Sequence, residues 1–211
     1  MDLNLPRNCL VNKFIPKSKF FSKTAVSTKI RDDFTGNIQK ITWKYKLSPE
    51  TLSIPAWGDT EEIQIFEIEL KEKVIPQNVL RVIDKLIPYP ILYVLIYDGH
   101  VTYGISLKND PNRSYYFSEW DEIIEFNFHN INLEKIYQGI IKKFIKYTDT
   151  SLSNFQEIVA TEKKINTLSD EIQMLKNKIQ GEKQFKKKLS LNTLLREKQS
   201  EQEKLKNTNI L

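Results

Sequence analysis

The pattern of apolar and polar positions predicts alternating strands and helices in the first part of the chain. Within residues 63–70, Phe66, Ile68 and Leu70 fall on one face and Glu67 and Glu69 on the other, the period-2 pattern of a half-buried strand. Between Pro76 and Pro88, apolar residues recur at helical spacing, which predicts an amphipathic helix. The continuous apolar run of residues 91–97 has the length of a central strand covered on both faces.

Further segments extend this predicted sheet. Residues 38–47 are rich in β-branched and aromatic side chains, which favours a strand. Asp98-Gly99 is a strong hairpin-turn signal, so residues 101–107 should return as an antiparallel partner. Residues 114–120 could add an edge strand, and residues 133–147 have helical periodicity. The predicted fold class is α/β in the broad α+β sense: a mixed β-sheet with packed helices.

The pattern changes in the last third of the chain, where aromatic residues, Pro and Gly nearly vanish. Apolar side chains there follow the 7-3-4-3-4 spacing of heptad a and d positions, which predicts a coiled-coil helix. These positions are Ile158, Ile165, Leu168, Ile172, Leu175 and Ile179. The register fails near Gly181, so two antiparallel helices hinged there and one long interrupted helix both fit. We prefer the hairpin, because the second segment cannot continue the seam of the first.

The predicted organisation is a mixed α/β domain at residues 1–150 and a helical coiled-coil arm at residues 151–211, with a hairpin near Gly181. In either form of the arm, the six heptad side chains make an apolar stripe. We expect a protein partner, or a second copy of the chain, to bind there.

Composition narrows the chemistry that the chain can carry. Hydrophobic residues make up 40% and charged residues 28%, which suits a folded chain rather than a disordered one. Cys9 is the single cysteine, so an internal disulfide and a zinc site built from several cysteines are excluded. With His100 and His129 as the only histidines, a histidine-rich metal centre is not expected. No glycine-rich phosphate-binding motif occurs, and no cofactor is expected unless the chain is a nuclease.

No segment predicts membrane insertion or export. Residues 1–12 mix charged and polar residues with scattered leucines, so we do not expect them to act as a targeting peptide. The longest apolar run, residues 91–97, is too short for the roughly 20 residues that cross a bilayer. We expect a cytoplasmic protein with no membrane partner.

The net charge of +5 is unevenly distributed. Lys and Arg outnumber Asp and Glu by 10 to 5 in residues 1–60 and by 12 to 8 in residues 151–211, whereas residues 61–150 are acidic. Two basic stretches could contact the phosphates of nucleic acid. Their lysines are Lys13, Lys17 and Lys19 near the N-terminus and Lys186, Lys187 and Lys188 in the arm. The N-terminal stretch also carries phenylalanines that could stack on bases or, alternatively, pack on the domain while the lysines stay in water.

The single catalytic candidate lies on the alternating strand. Nucleases of the PD-(D/E)xK kind need carboxylates that hold Mg²⁺ and a lysine that positions water, and Glu69 and Lys71 have the required i, i+2 spacing. Glu67 could assist, and Asp59 could supply the first acidic ligand, so Asp59 and Glu69 would be the metal ligands. The same Glu, Glu and Lys pattern is also what any solvent-facing strand side has.

Several segments taken together resemble a known family. They read NKFIPK at residues 12–17, YKLSPETL at residues 45–52, IFEIELK at residues 65–71 and IPYPILY at residues 87–93. This combination resembles the bacterial and archaeal family called domain of unknown function 4391. The resemblance implies no catalytic residues. It implies a context beside helicases and DNA methyltransferases, in loci that look like restriction or phage-defence systems.

Three functions are therefore open, and the first is preferred. The chain is expected to be a non-enzymatic accessory subunit that docks through its arm onto a larger helicase or methyltransferase-type protein, with DNA near its basic ends. The second is a Mg²⁺-dependent nuclease that uses Glu69 and Lys71. The third is a homodimeric structural protein that pairs with itself through the coiled coil.

Overall fold

The computed structural model describes residues 3–23, 26–108, 110, 114–146 and 154–207. The chain divides into two compact units, Met1–Phe144 and Ile145–Leu211. The predicted domain boundary after residue 150 lies outside the described residues. No described helix is both long and apolar enough to cross a membrane.

The β-branched and aromatic segments of the first unit form one mixed sheet. Its six strands, among the described residues, are β1 (Leu10–Phe14), β2 (Ile38–Leu47), β3 (Ile63–Leu70), β4 (Ile91–Tyr97), β5 (His100–Ser106) and β6 (Tyr115–Phe117). The strands lie in chain order, β1-β2-β3-β4-β5-β6. All neighbours pair antiparallel except β3 and β4, which are parallel. The predicted fold class, a mixed sheet with packed helices, is confirmed.

The α-helices of the described chain include those predicted from helical periodicity and three more, the first three along the chain, that were not predicted. They are α1 (Ser18–Lys23), α2 (Thr28–Asn37), α3 (Pro49–Leu52), α4 (Gln77–Leu86), α5 (Leu133–Lys142), α6 (Phe155–Gly181) and α7 (Phe185–Asn207). Helix α4 connects the parallel strands β3 and β4, as a crossover connection must. Between β4 and β5, Asp98 and Gly99 both have positive φ angles, of 45° and 81°. This is the backbone that a two-residue hairpin turn requires, and Gly at the second position adopts it without a Cβ clash.

One apolar cluster joins α1, α2 and α4 to β2, β3 and β4. Its fully buried members include Phe34, Ile41, Ile68 and Ile83. Because side chains alternate along a strand, Glu67 and Glu69 lie on the face of β3 opposite to this cluster. The charged pattern that suggested a nuclease therefore belongs to the sheet face away from α4.

Helix α5 is shorter than the predicted helix over residues 133–147. The backbone N–H groups of Lys143 and Phe144 donate to the carbonyls of Ile140 and Ile141, three residues back. Such i→i−3 bonds tighten the end of a helix and stop its α-helical ladder. The last predicted residue, Tyr147, lies outside the described residues.

The second unit is an antiparallel pair of helices, called here the helical hairpin. Ion pairs join Lys164 to Glu201 at 2.9 Å and Lys198 to Glu171 at 2.8 Å, so residues early in α6 face residues late in α7. Beside these pairs, the Gln202 Nε2 group donates to Ser169 Oγ at 2.6 Å. Helix α6 ends at Gly181 and α7 begins at Phe185, which places the connection at the predicted break in register.

Candidate functional site

The carboxylates proposed for catalysis pair with lysines of the neighbouring strand. The backbone register places Lys40 opposite Glu69, and their side chains form an ion pair of 3.1 Å. Lys44 similarly lies 3.2 Å from Glu67. Cross-strand pairs of opposite charge are a common way to stabilise a sheet face.

Lys71 does not join these carboxylates. It follows the end of β3, where its Nζ donates to the carbonyl of Thr35 at 2.7 Å and its backbone N–H donates to the carbonyl of Asn37 at 2.9 Å. Both carbonyls belong to the last turn of α2, which a lysine commonly caps. The Lys71 side chain is therefore held at the end of α2.

Asp59 lies at the other end of β3. It precedes the strand, and its backbone carbonyl accepts a hydrogen bond from Lys108 Nζ at 2.7 Å. Ile63 and Glu69 alone are separated by six residues of extended chain, which is roughly 20 Å. Among the described residues, no group of three or more His, Cys, Asp or Glu side chains could hold a metal ion. The described side chains therefore do not fit a Mg²⁺ site made by Asp59 and Glu69.

The N-terminal lysines are spread over different environments. Lys13 is exposed on the edge strand β1, and Lys19 is exposed on α1. Lys17 is half-buried, and its Nζ donates to the carbonyl of Ile38. Burial lowers the pKa of Lys17, and the nearby charge of Lys71 lowers it further. Lys17 therefore helps to hold the fold together, and only the other two lysines face solvent.

Most aromatic rings of this N-terminal stretch are in the core. Phe20 is buried and stacks on Phe34 with ring centroids 5.6 Å apart, while Phe21 contacts the same ring edge-on at 5.2 Å. Phe14 alone in the segment is largely exposed, at 57%. Phe20 and Phe21 therefore follow the alternative in which the phenylalanines pack on the domain.

Net positive charge is concentrated at the hairpin tip, defined here as residues 176–188. It holds one acidic residue, Glu182, and six lysines, so its net charge equals the +5 of the whole chain. The six are Lys176, Lys178, Lys183, Lys186, Lys187 and Lys188. All six are exposed, and within the part of the chain that the structure describes none forms an ion pair.

The stem of the helical hairpin differs in this respect. There the hydrogen bond from Lys164 lowers the pKa of Glu201, and the hydrogen bond to Glu171 raises the pKa of Lys198. These opposite shifts are what neutralised pairs produce, because each partner favours the charged form of the other. Charge is thus balanced along the stem and unbalanced at the tip.

The heptad side chains predicted to bind a partner are covered within the chain. Ile158, Ile165, Leu168, Ile172 and Leu175 are all buried, and Ile179 is half-buried. The apolar side chains that face solvent on the same two helices are different ones. They are Met174, Phe185, Leu189 and Leu194.

The comparisons with known proteins bear on the family alone. A family model described as "Domain of unknown function (DUF4391)" matches residues 3–201. The chain belongs to the DUF4391 family. The resemblance carried by the four sequence segments is thereby confirmed. Neither a curated protein nor a solved structure matches the chain.

Two features of this DUF4391 chain could not be recognised from sequence motifs. At the tip, Phe185 is 80% exposed between Lys183 and Lys186. The available signal was an apolar residue beside a lysine run at the break in the heptad register, but that pattern does not say whether the ring is buried.

The second feature is a buried carboxylate in α4, in the first unit of the chain. Asp84 accepts a hydrogen bond from the Tyr93 hydroxyl at 2.6 Å and another from the Tyr115 hydroxyl. It lines a cavity of about 150 Å³ together with Ser106 and other residues. The sequence signal was an acidic residue four positions after Leu80, on the apolar face of the helix. Each carboxylate oxygen of Asp84 accepts a hydrogen bond from a tyrosine hydroxyl, one on β4 and one on β6. These hydrogen bonds connect α4 to the sheet.

Proposed function

We propose that this DUF4391 protein is a non-enzymatic, cytoplasmic accessory subunit of a DNA-processing system of the restriction-like or phage-defence kind. In this proposal the hairpin tip contacts DNA, and a larger helicase or methyltransferase-type protein carries the catalytic activity. The observation that carries the proposal is the tip itself, where six exposed lysines have no ion-pair partner among the described residues.

The physics of this contact is the release of counterions. A lysine that neutralises a phosphate frees a condensed cation, and this gain does not depend on the base sequence. Lysines that are already paired with carboxylates, such as Lys164 and Lys198 in the stem, would first have to break those pairs. The unpaired lysines of the tip have no such cost, which supports the tip as the DNA contact.

The arrangement of the candidate catalytic residues supports the absence of nuclease activity. Glu67 and Glu69 are paired with lysines, and Lys71 caps α2. A PD-(D/E)xK mechanism would need all of these contacts to be exchanged for contacts with a metal and water. We therefore place catalysis in the partner.

Docking of the partner is proposed to use the outer surface of the helical hairpin. The heptad side chains predicted for this role are buried, so a partner could reach them only by separating α6 from α7. Met174 and Leu194 are exposed instead, at 55% and 40%. They offer apolar contacts without any opening of the hairpin.

Charge reversal at the tip tests the proposal. In the variant with Lys186→Glu, Lys187→Glu and Lys188→Glu, we expect affinity for a duplex of about 20 bp to fall at least about tenfold. The slope of log K against log salt should also decrease by about 2–3, because each lost phosphate contact contributes roughly 0.9. Fluorescence anisotropy over a salt series measures both.

A matched control carries the same change of net charge at a different place. Lys29, Arg81 and Lys85 are exposed on α2 and α4, and their replacement by Glu should leave the salt slope unchanged. An equal loss of affinity in both triple variants would mean that only overall charge matters, and would contradict a contact at the tip.

A cleavage assay tests the assignment as non-enzymatic. We expect the purified full chain to leave supercoiled and single-stranded DNA intact with Mg²⁺ or Mn²⁺, because the carboxylates and Lys71 are engaged elsewhere. Glu69→Gln and Lys71→Ala provide the comparison, with circular dichroism to show that both fold. Cleavage by the wild type that is lost in both variants would make the protein a nuclease and overturn the proposal.

A further inference from the structure

We propose that the hairpin tip binds single-stranded DNA in preference to duplex, with the ring of Phe185 as a stacking platform for an unpaired base. This inference rests on the proposed function and names the form of DNA that the tip recognises. The observation behind it is a phenylalanine that is exposed among unpaired lysines.

Phe185 is the first residue of α7, and 80% of it faces solvent. Lys183 precedes it by two residues and Lys186 follows it directly. Lys188 lies one helical turn further on, on the same side of α7 as the ring. An exposed aromatic ring is therefore flanked by lysines along the chain, and no carboxylate other than that of Glu182 lies within the tip.

This combination matches the chemistry of a single strand. Unpaired bases present their π faces, and proteins that bind single strands stack aromatic side chains on those faces while lysines follow the phosphates. In a duplex the base faces are already stacked on each other, so the ring of Phe185 would gain nothing there. The lysines alone would bind both forms of DNA, and Phe185 supplies the difference.

A protein partner fits the same residues less well. The buried centre of a protein interface is depleted of lysine and enriched in aromatic and apolar residues. Phe185 has lysines on both sides in the sequence, and covering it with a protein surface would bury their charges. Leu189, one turn away on the same side of α7, provides a test of this alternative, since a protein interface would use both side chains.

The N-terminal basic segment is a weaker candidate for stacking. Phe20 and Phe21 pack against Phe34, and Lys17 is held by a backbone carbonyl. Phe14 remains, with Lys13 beside it, on the edge strand β1. Phe14 is therefore the matched control, because it is an exposed phenylalanine next to a lysine in the same protein.

The experiment measures binding of the full chain to a labelled oligo(dT) of about 20 nucleotides and to a duplex of the same length. We expect Phe185→Ala to weaken oligo(dT) binding by about 5- to 150-fold, the range that removal of one stacking contact gives. Binding to duplex should change less than about twofold, and the salt slope should not change, because no phosphate contact is lost. Phe185→Trp should retain the affinity, since tryptophan also stacks.

The controls separate this inference from the proposed function. Leu189→Ala and Phe14→Ala should bind oligo(dT) like the wild type. An unchanged affinity in Phe185→Ala, with binding still lost in the Lys186, Lys187 and Lys188 variant, would leave the proposed function standing and overturn the stacking role. A loss in Phe14→Ala instead of Phe185→Ala would overturn it too, as would an equal loss in Leu189→Ala. Absence of any DNA binding by the wild type would overturn both.

Discussion

Replacement of Ile83 by alanine is expected to lower the free energy of unfolding of the α/β unit by about 2–5 kcal/mol. Ile83 is fully buried in α4 and belongs to the cluster that joins the helices to β2, β3 and β4. The change removes apolar surface from the core and leaves a cavity, because close-packed neighbours collapse only in part. Since α4 is the crossover between the parallel strands, the loss affects the centre of the sheet.

Tryptophan fluorescence in a urea titration measures this effect. Trp43, Trp57 and Trp120 all belong to the first unit, so their signal does not report on the helical hairpin. Lys85→Ala is the control on the same helix, because Lys85 is exposed and its truncation should change the free energy by less than about 0.5 kcal/mol. Equal urea midpoints for Ile83→Ala and Lys85→Ala would mean that the buried face of α4 does not stabilise the first unit.

The strands with the clearest hydrophobic pattern were predicted to the residue. β2, β3 and β4 have the predicted limits, because β-branched runs bounded by turn residues leave few alternatives. Besides the short helices α1 and α3, the sequence did not reveal β1 and α2. In α2 only Phe34 is buried, so polar residues dominate the sequence pattern of that helix. Strand β1 is an edge strand, and its side chains are mostly exposed. Both are stabilised by tertiary contacts, which a local pattern does not contain.

The contacts of the candidate site residues also depend on neighbours that a local sequence pattern does not contain. Spacing along β3 put Glu69 and Lys71 in a nuclease-like order, but the cross-strand position of Lys40 and the end of α2 beside Lys71 decide what those side chains bind. Neither neighbour can be read from the segment itself. The lysine run at residues 186–188 was visible because charge needs no partner to be recognised, whereas the exposure of Phe185 depends on where α7 begins.

Burial of the heptad side chains of α6, called here the seam, bears on whether the chain assembles with a second copy. If α7 covers the seam, the chain has no need of a second copy, and a particle mass near 24.9 kDa is expected by light scattering. Twice that mass would favour the homodimer, with the α7 helix of each chain packed on the α6 helix of the other. The measurement therefore separates the proposed accessory subunit from the self-associating alternative.

Replacement of Leu168 by aspartate is expected to open the helical hairpin. Leu168 is 4% exposed, and an ionised carboxylate placed there would lose its hydration without gaining a partner, which costs several kcal/mol. Two helices of 27 and 23 residues that pack chiefly on one stripe have little else to hold them together. We expect hydrogen-exchange protection of α7 to disappear, while the amides of β3 and β4, which are bonded within the sheet, stay protected.

The control for this variant introduces the same charge one residue earlier. Thr167 is exposed on α6, so Thr167→Asp has the same low helix propensity but leaves the seam intact, and α7 should remain protected. The two variants also separate the roles of seam and tip. If the tip lysines bind DNA from a rigid hairpin, Leu168→Asp should weaken DNA binding although every lysine is retained, and Thr167→Asp should weaken it far less. Unchanged protection of α7 in Leu168→Asp would mean that contacts other than the seam hold α7 in place.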